Sequence, residues 1–384
     1  MHLISPVLRH YAWGTHEDIP RMLGVAATDE PVAEAWWGAH DSGPSRLDAE
    51  GLPLDELIAR EPAGMLGESA AEHWGPRLPY LLKVLSIGKP LSIQVHPTLD
   101  QARTGFSEEQ RGTGGAPHHF LDPFHKPEMV VAVTPMEILA GVRPVRDTAI
   151  DLRSLETVRA SELADILEAA GDIRAFIHEA LSAGVGPDTL DALARAGQRA
   201  DAGSSLAAAA RTLHHFPGDA GAVVALGMHR VALAPGESLF VGAGVLHSYQ
   251  SGLGLEIMAN SDNVVRAGLT PKPVNVPLLL ELLEPRECAP ALPTVHSEGA
   301  ARHLVTEAQE FALTIVTEGR AQLPAAPRIV LALNGEATLH CDDDRIVLEP
   351  GKAAFVPHHC GVLDVTTSGQ AVVARTPWET ERHH

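Results

Sequence analysis

Pro235-Gly236-Glu237-Ser238-Leu239-Phe240-Val241-Gly242-Ala243-Gly244-Val245-Leu246-His247 is the stretch from which the fold of this chain is best read. Leu239 to Val241 has the length and apolar bias of a strand, Gly242 and Gly244 mark a tight turn, and a histidine stands just beyond it. A strand and turn of this kind can deliver a histidine into a barrel mouth; a structural turn with an incidental histidine is the competing reading. Alternation flanks the turn, in Val231 and Leu233 before it and in Leu253, Leu255 and Ile257 after it, with Ser251-Gly252-Leu253-Gly254 reading as a second turn.

The same pattern extends outward. Tyr80 to Val95 reads as strand, Gly88-Lys89-Pro90 turn, strand, and Met129 to Val133 and Glu137 to Val142 continue it, so residues 1–145 are expected to be mainly β. Residues 98–120, polar and containing Thr113-Gly114-Gly115, read as a long loop. From 149 to about 212 the chain becomes rich in Ala, Leu, Glu and Arg, with Leu163, Ile166, Leu167, Phe176, Ile177, Leu190 and Leu193 at helical spacing. Ser161 is a loose helix start and Asp188-Thr189 a better one. Beyond the prolines of 284–293, short strands return (Phe311 to Val316, Ile329 to Leu333, Ala337 to Leu339, Ile346 to Leu348, Ala354 to Val356, Gln370 to Val373), at a density that suits a sandwich or barrel.

The chemistry concentrates in three places. Gln94 and His96 lie two apart on an expected strand, so both side chains leave one face with a neutral ligand atom each. In His125-Lys126-Pro127-Glu128, Lys126 and Glu128 share a face if the segment is extended; Glu128 offers a hard anionic oxygen, while protonated Lys126 suits an anionic or polar substrate. His247 is the third. Groups of these kinds around a divalent ion would make it a Lewis-acid site; as ordinary strand-end polar pairs and surface charges they would carry no chemistry. By donor chemistry alone, Mn, Fe, Co or Ni would serve as well as zinc. His118, His119 and His125 read as spare histidines near such a centre, and Glu34 and His40 as parts of a local hydrogen-bond network.

Composition sets the outer limits. Of 384 residues, 49 are acidic and 29 basic, a net charge of −20 that disfavours nucleic acid or an anionic membrane as partner. Met1 to Pro6 lacks the basic and apolar segments of a secretory signal, and the chain reads as cytoplasmic. Three cysteines, Cys288, Cys341 and Cys360, are too few and too scattered for a disulfide framework or thiolate zinc site, so reduced, partly buried thiols are expected. The terminal pair His383-His384 is too short for a tag or a metal site.

The Gly236–His247 stretch resembles the second motif of the cupin superfamily, G(X)5PXG(X)2H, with Gly242 in place of its proline, and Gln94, His96 and Glu128 look like the first. Together with Tyr11-Ala12-Trp13-Gly14, Ala33-Glu34-Ala35-Trp36 and Ser261-Asp262-Asn263-Val264-Val265-Arg266-Ala267-Gly268-Leu269-Thr270-Pro271-Lys272, these blocks resemble the zinc-dependent type I mannose-6-phosphate isomerase family. The resemblance spans residues 6–45, 80–145 and 216–285 and thins elsewhere. It implies a mainly β chain with two cupin-like, jelly-roll barrels: a catalytic one from 1–145 with 228–285, an inserted helical domain at 146–227, and a C-terminal barrel at 286–384. In the last, Gly351 to Pro357 echoes the motif, but His359 replaces its second glycine and Val362 occupies the ligand position, so no metal is expected there.

The implied activity is aldose-ketose isomerisation of mannose 6-phosphate and fructose 6-phosphate through an enediol, with one zinc ion per chain on Gln94, His96, Glu128 and His247. The resemblance further implies Arg266 as an electrostatic catalyst and Glu256 as proton-transfer or hydroxyl-positioning group, the identity of the base staying open. It places Ser92, Lys83, Lys126 and Lys272 around the substrate and Trp13 at the pocket rim, while Trp36 and Trp37 pack structurally. A monomer acting on a small phosphosugar is expected. The competing readings are a sugar-binding cupin without turnover and a cupin enzyme acting on a different substrate, another phosphosugar among them.

Overall fold

In a computed structural model the protein is described over residues 1–111, 118–378 and 381. Thr113-Gly114-Gly115 and the terminal histidines lie outside the described residues. The alternating segments form two ten-stranded sheets, and the strand pairs within them are antiparallel. The first is organised around His247–Ala259, a thirteen-residue strand. Its second half is flanked by Tyr80–Ile87 (Glu256 opposite Lys83) and Glu128–Ala132 (Met258 opposite Glu128). Its beginning pairs with Ile93–Val95 and Met136–Ala140, which places His247 opposite both Gln94 and Ala140.

The expected turn at Ser251-Gly252-Leu253-Gly254 is instead a bend inside this strand. The register slips between Tyr249 and Ser251, and Gly252 takes φ +108°. A Cβ on Gly252 would come within 2.6 Å of the Pro135 carbonyl oxygen, and one on Gly254 within 2.6 Å of the Met136 sulfur. These glycines serve close packing of neighbouring strands, a use of glycine that resembles turn chemistry in sequence.

Helices Val145–Arg153, Val158–Ala170, Ile173–Ser182, Pro187–Gly197 and Ser205–His215 fill the region between strands Met136–Ala140 and His229–Leu233, which pair with each other. Thr157, Asp172 and Ser204 accept from backbone N–H groups at three of the helix starts, so Ser161 lies inside a helix rather than at its start, and Asp188 follows Pro187 in the first turn. Their apolar faces share one core with Ile93, Val95, Leu246 and Val265 beneath the first sheet.

Two further departures are helical. Leu99–Arg111 forms a helix within the segment read as a loop, started by a reciprocal pair in which Gln101 N–H donates to Thr98 Oγ1 and Thr98 N–H to Gln101 Oε1. Leu54–Arg60, Pro62–Leu66 and Glu68–Trp74 add short helices to the mainly β first third.

The second sheet runs Thr294–Glu298, Ala301–Val305, Ala312–Leu323, Leu363–Arg375, Arg328–Asn334, Ala353–Val356 and then, unexpectedly, His2–Ser5 and Arg46–Leu47. The N-terminal strand thus pairs within the C-terminal sheet (His2 opposite Phe355, Ile4 opposite Ala353), not within the barrel expected from 1–145. Ala312–Leu323 and Leu363–Arg375 are longer than their apolar cores suggest, because they stay paired past a register slip where Glu318 adopts φ 38°. The three cysteines are free, with Cys341 and Cys360 buried. Among the described residues no helix is long and apolar enough to cross a membrane.

Candidate metal centre and active site

Four side chains meet where the strands Ile93–Val95, Glu128–Ala132 and His247–Ala259 converge. His96 Nε2 lies 3.3 Å from one Glu128 oxygen and His247 Nε2 lies 3.4 Å from the other. Each ring is oriented by its second nitrogen: His96 Nδ1 donates to the Asn263 carbonyl at 2.7 Å and His247 Nδ1 to the Val245 carbonyl at 3.0 Å. Both Nε2 atoms are thereby left as acceptors facing the carboxylate. The ligand atoms of His96, Glu128 and His247 all lie within 4.8 Å of one another, and His96 Nε2 is buried without a hydrogen-bond partner among the described residues. Gln94, opposite His247 in register, donates its Nε2 to Ser92 Oγ at 3.0 Å, which leaves its Oε1 available. Two imidazoles, a carboxylate and an amide oxygen around an orphaned nitrogen fit a divalent transition-metal ion such as zinc.

The electrostatics agree. Burial, aided by the Lys126 charge and opposed by Glu128, pushes the His96 pKa down to about 4, which keeps the ring neutral as ligation requires. Burial alone would raise Glu128, but Lys126, 2.9 Å away, and His96 hold it well below the usual carboxylate range.

Behind this group is a cavity of about 80 Å³ lined by Glu34, Lys83, Ser92, Gln94, Lys126, Glu128, His247, Tyr249 and Glu256, among others. Lys83 Nζ lies 3.2 Å from Glu256 and 5.0 Å from the Trp36 ring centre. Burial and the nearby Glu128 charge raise the Glu256 pKa despite Lys83 and Lys126. For Lys83 the balance is reversed: burial would lower its pKa, and the surrounding carboxylates, Glu256 first, raise it. The Tyr249 hydroxyl is buried with no hydrogen-bond partner among the described residues, and burial together with the Glu256 and Glu128 charges pushes its pKa well above the ordinary value.

A family model for the catalytic domain of type I phosphomannose isomerase matches residues 1–145. The chain is 34% identical over 371 residues to the mannose-6-phosphate isomerase of Salmonella typhimurium, covering 92% of this chain and 94% of that one. It is 32% identical over 402 residues to the Escherichia coli protein of the same name, covering 97% and 98%. The chain belongs to the mannose-6-phosphate isomerase family. Among solved family structures, a mutant phosphomannose isomerase from Salmonella typhimurium matches with TM-score 0.90 at 29% identity, covering 98% of this chain and all of that one. A mannose 6-phosphate isomerase bound with zinc and yttrium matches with TM-score 0.89 at 30% identity and the same coverage.

Of the residues singled out in the sequence of this family member, Lys83, Ser92, Gln94, Lys126, Glu128, His247 and Glu256 line one cavity, with His96 adjoining Glu128. Arg266 stands opposite Gln94 on the strand Val265–Gly268, half-buried, and has no hydrogen-bond or ion-pair partner among the described residues. Burial lowers its pKa. Lys272 is exposed in the turn beyond, and neither cation lines the cavity as described. Trp13 is half-buried and stacked on Tyr11, packed against an apolar cluster of the first sheet rather than lining the cavity.

Glu34 accepts from Trp36 Nε1 at 2.5 Å, as a local network requires, and also reaches the cavity wall. His40 lies 3.4 Å from Asp262, His119 accepts from Asn275, and His125 donates to Glu310. Val362 is exposed. Two residues of the site went unread in the sequence. Tyr249 follows His247 by two on one strand, a spacing that was available as a signal. Asn263, whose backbone carbonyl accepts from His96 Nδ1, orients the ring without using its side chain, so that role leaves no side-chain signature.

Proposed function

We propose that the protein is a metal-dependent mannose-6-phosphate isomerase, interconverting mannose 6-phosphate and fructose 6-phosphate through an enediol, with one zinc ion per chain held by Gln94, His96, Glu128 and His247. The observation that carries this reading is the convergence of His96, Glu128 and His247 beside the buried Lys83–Glu256 pair, in a chain of this family. When bound, the ion supplies Lewis-acid polarisation of substrate oxygens.

The chain's own groups do the rest. Glu256, buried with a raised pKa, is suited to hold or pass the proton that moves between C1 and C2. Lys83 fixes that carboxylate in place. Arg266, unpaired beside Gln94, meets negative charge as it develops on the substrate oxygens, a contribution larger in the transition state than in the ground state. Ser92, Lys83 and Lys126 in the cavity wall, with Lys272 in the turn beyond it, hold the phosphosugar.

We read the two sheets as cupin-like barrels, the helices of 146–227 as a domain inserted into the first, and the second barrel as metal-free. On the same reading the protein works as a cytoplasmic monomer. A coupled assay on mannose 6-phosphate, with and without prior chelation and with metal analysis, tests the function. Turnover abolished by chelation and restored by zinc is the expected result, and a metal-replete protein inert toward mannose 6-phosphate overturns the reading.

A further inference from the structure

Glu310 belongs to the second sheet's side of the molecule, in the turn between Ala301–Val305 and Ala312–Leu323, yet its side chain reaches the active-site segment. It is 4% exposed, and its Oε1 accepts from His125 Nε2 at 2.6 Å, while Oε2 is buried without a partner among the described residues. Removing a carboxylate from water is costly unless it is well paired, and one hydrogen bond with an idle second oxygen is poor compensation for stability alone.

What that bond fixes is the backbone that carries Lys126. Residues 118–127 lie outside the sheet ladder, which begins at Glu128. The upstream part is held by Asn263, whose side chain accepts from Leu121 N–H and donates to the Asp122 and Phe124 carbonyls, each at 2.8 Å. Downstream, the Pro127 carbonyl accepts from Ala259 N–H. Between these anchors, alternation along an extended segment turns His125 away from the cavity and Lys126 toward it, with Lys126 Nζ 2.9 Å from Glu128.

We propose that Glu310 is a positioning residue: through His125 the metal-free C-terminal half sets the placement of Lys126 in the cavity. This rests on the isomerase reading and on Lys126 as a substrate contact. If it holds, Glu310→Ala raises KM for mannose 6-phosphate about tenfold while kcat stays within about threefold and metal content is unchanged, and Glu310→Gln, which keeps an acceptor, restores most of the loss. His125→Ala has the same effect, and the double variant adds nothing further.

Hydrogen exchange provides a readout independent of activity. Exchange in residues 121–127 accelerates in Glu310→Ala and stays slow in Glu310→Gln. Additive kinetic effects of the two alanine substitutions, or unchanged exchange in that segment, overturn the proposal. An inactive parent protein whose exchange still responds to Glu310→Ala condemns the isomerase reading instead and leaves the Glu310 tie standing.

Discussion

Glu128 and Glu256 are carboxylates buried in one cavity, and their neighbours drive them in opposite directions. Burial raises both, but Glu128 faces two imidazoles and Lys126 and is held ionised, whereas Glu256 is pushed up by burial and then by the Glu128 charge, with Lys83 and Lys126 offsetting only part of the rise. The expected consequence is a division of labour that metal analysis can read: purified Glu128→Ala lacks zinc, whereas Glu256→Ala keeps it and is inactive. Equal depletion of both would refute the assignment. His96 yields a second prediction. Its pKa in the folded chain, about 4, lies below its ordinary value of 6.5, so between these limits the unfolded state binds more protons and stability rises with pH. Chelated protein is expected to lose on the order of 3 kcal/mol as pH falls from 6.5 through 4, measured by denaturant unfolding. A His96→Gln variant should lose distinctly less over the same range, and an unchanged slope would exclude His96 as the cause.

The strand His247–Ala259 carries both His247 and Glu256, and it does so because it bends. At Gly252, φ +108° and a Pro135 carbonyl oxygen 2.6 Å from the place of a Cβ exclude any side chain. Gly252→Ala should therefore destabilise the protein by more than about 2 kcal/mol in denaturant unfolding, and a neutral result would show that the bend is not constrained by this contact. The same element shows where sequence reading stops. The alternation of Leu253, Leu255 and Ile257 and the two-residue spacing of Gln94 and His96 are local: the first falls on the strand His247–Ala259, and the second brings Gln94 and His96 beside Glu128 and His247. Whether Ser251-Gly252-Leu253-Gly254 turns or bends depends on Met136 and Pro135, more than a hundred positions away. The helix Leu99–Arg111 was missed for a different reason: its Thr98–Gln101 capping pair was present in the sequence, but only Ala102 is buried along it, so the apolar period that identifies helices was absent.

At the scale of the whole molecule, the two sheets are not separable. One contiguous core joins Trp37, Tyr80 and Ile257 of the first sheet to Leu313, Phe355 and Ala374 of the second, and the N-terminal strand completes the C-terminal sheet. The Tyr80 hydroxyl lies 3.0 Å from both the Pro327 and Ala374 carbonyl oxygens, across this boundary. Chains of this length commonly unfold domain by domain, but a core shared by both sheets makes opening one expose the apolar face of the other. The two sheets are therefore expected to melt in a single calorimetric transition. Tyr80→Phe removes the shared hydroxyl and should lower stability by roughly 1–2 kcal/mol while preserving that single transition, metal content and KM. If the C-terminal half instead unfolded first, the Tyr80→Phe variant would split the transition in two, and the tie through Glu310 would break at the lower melting step, taking the substrate affinity with it before the metal centre is lost.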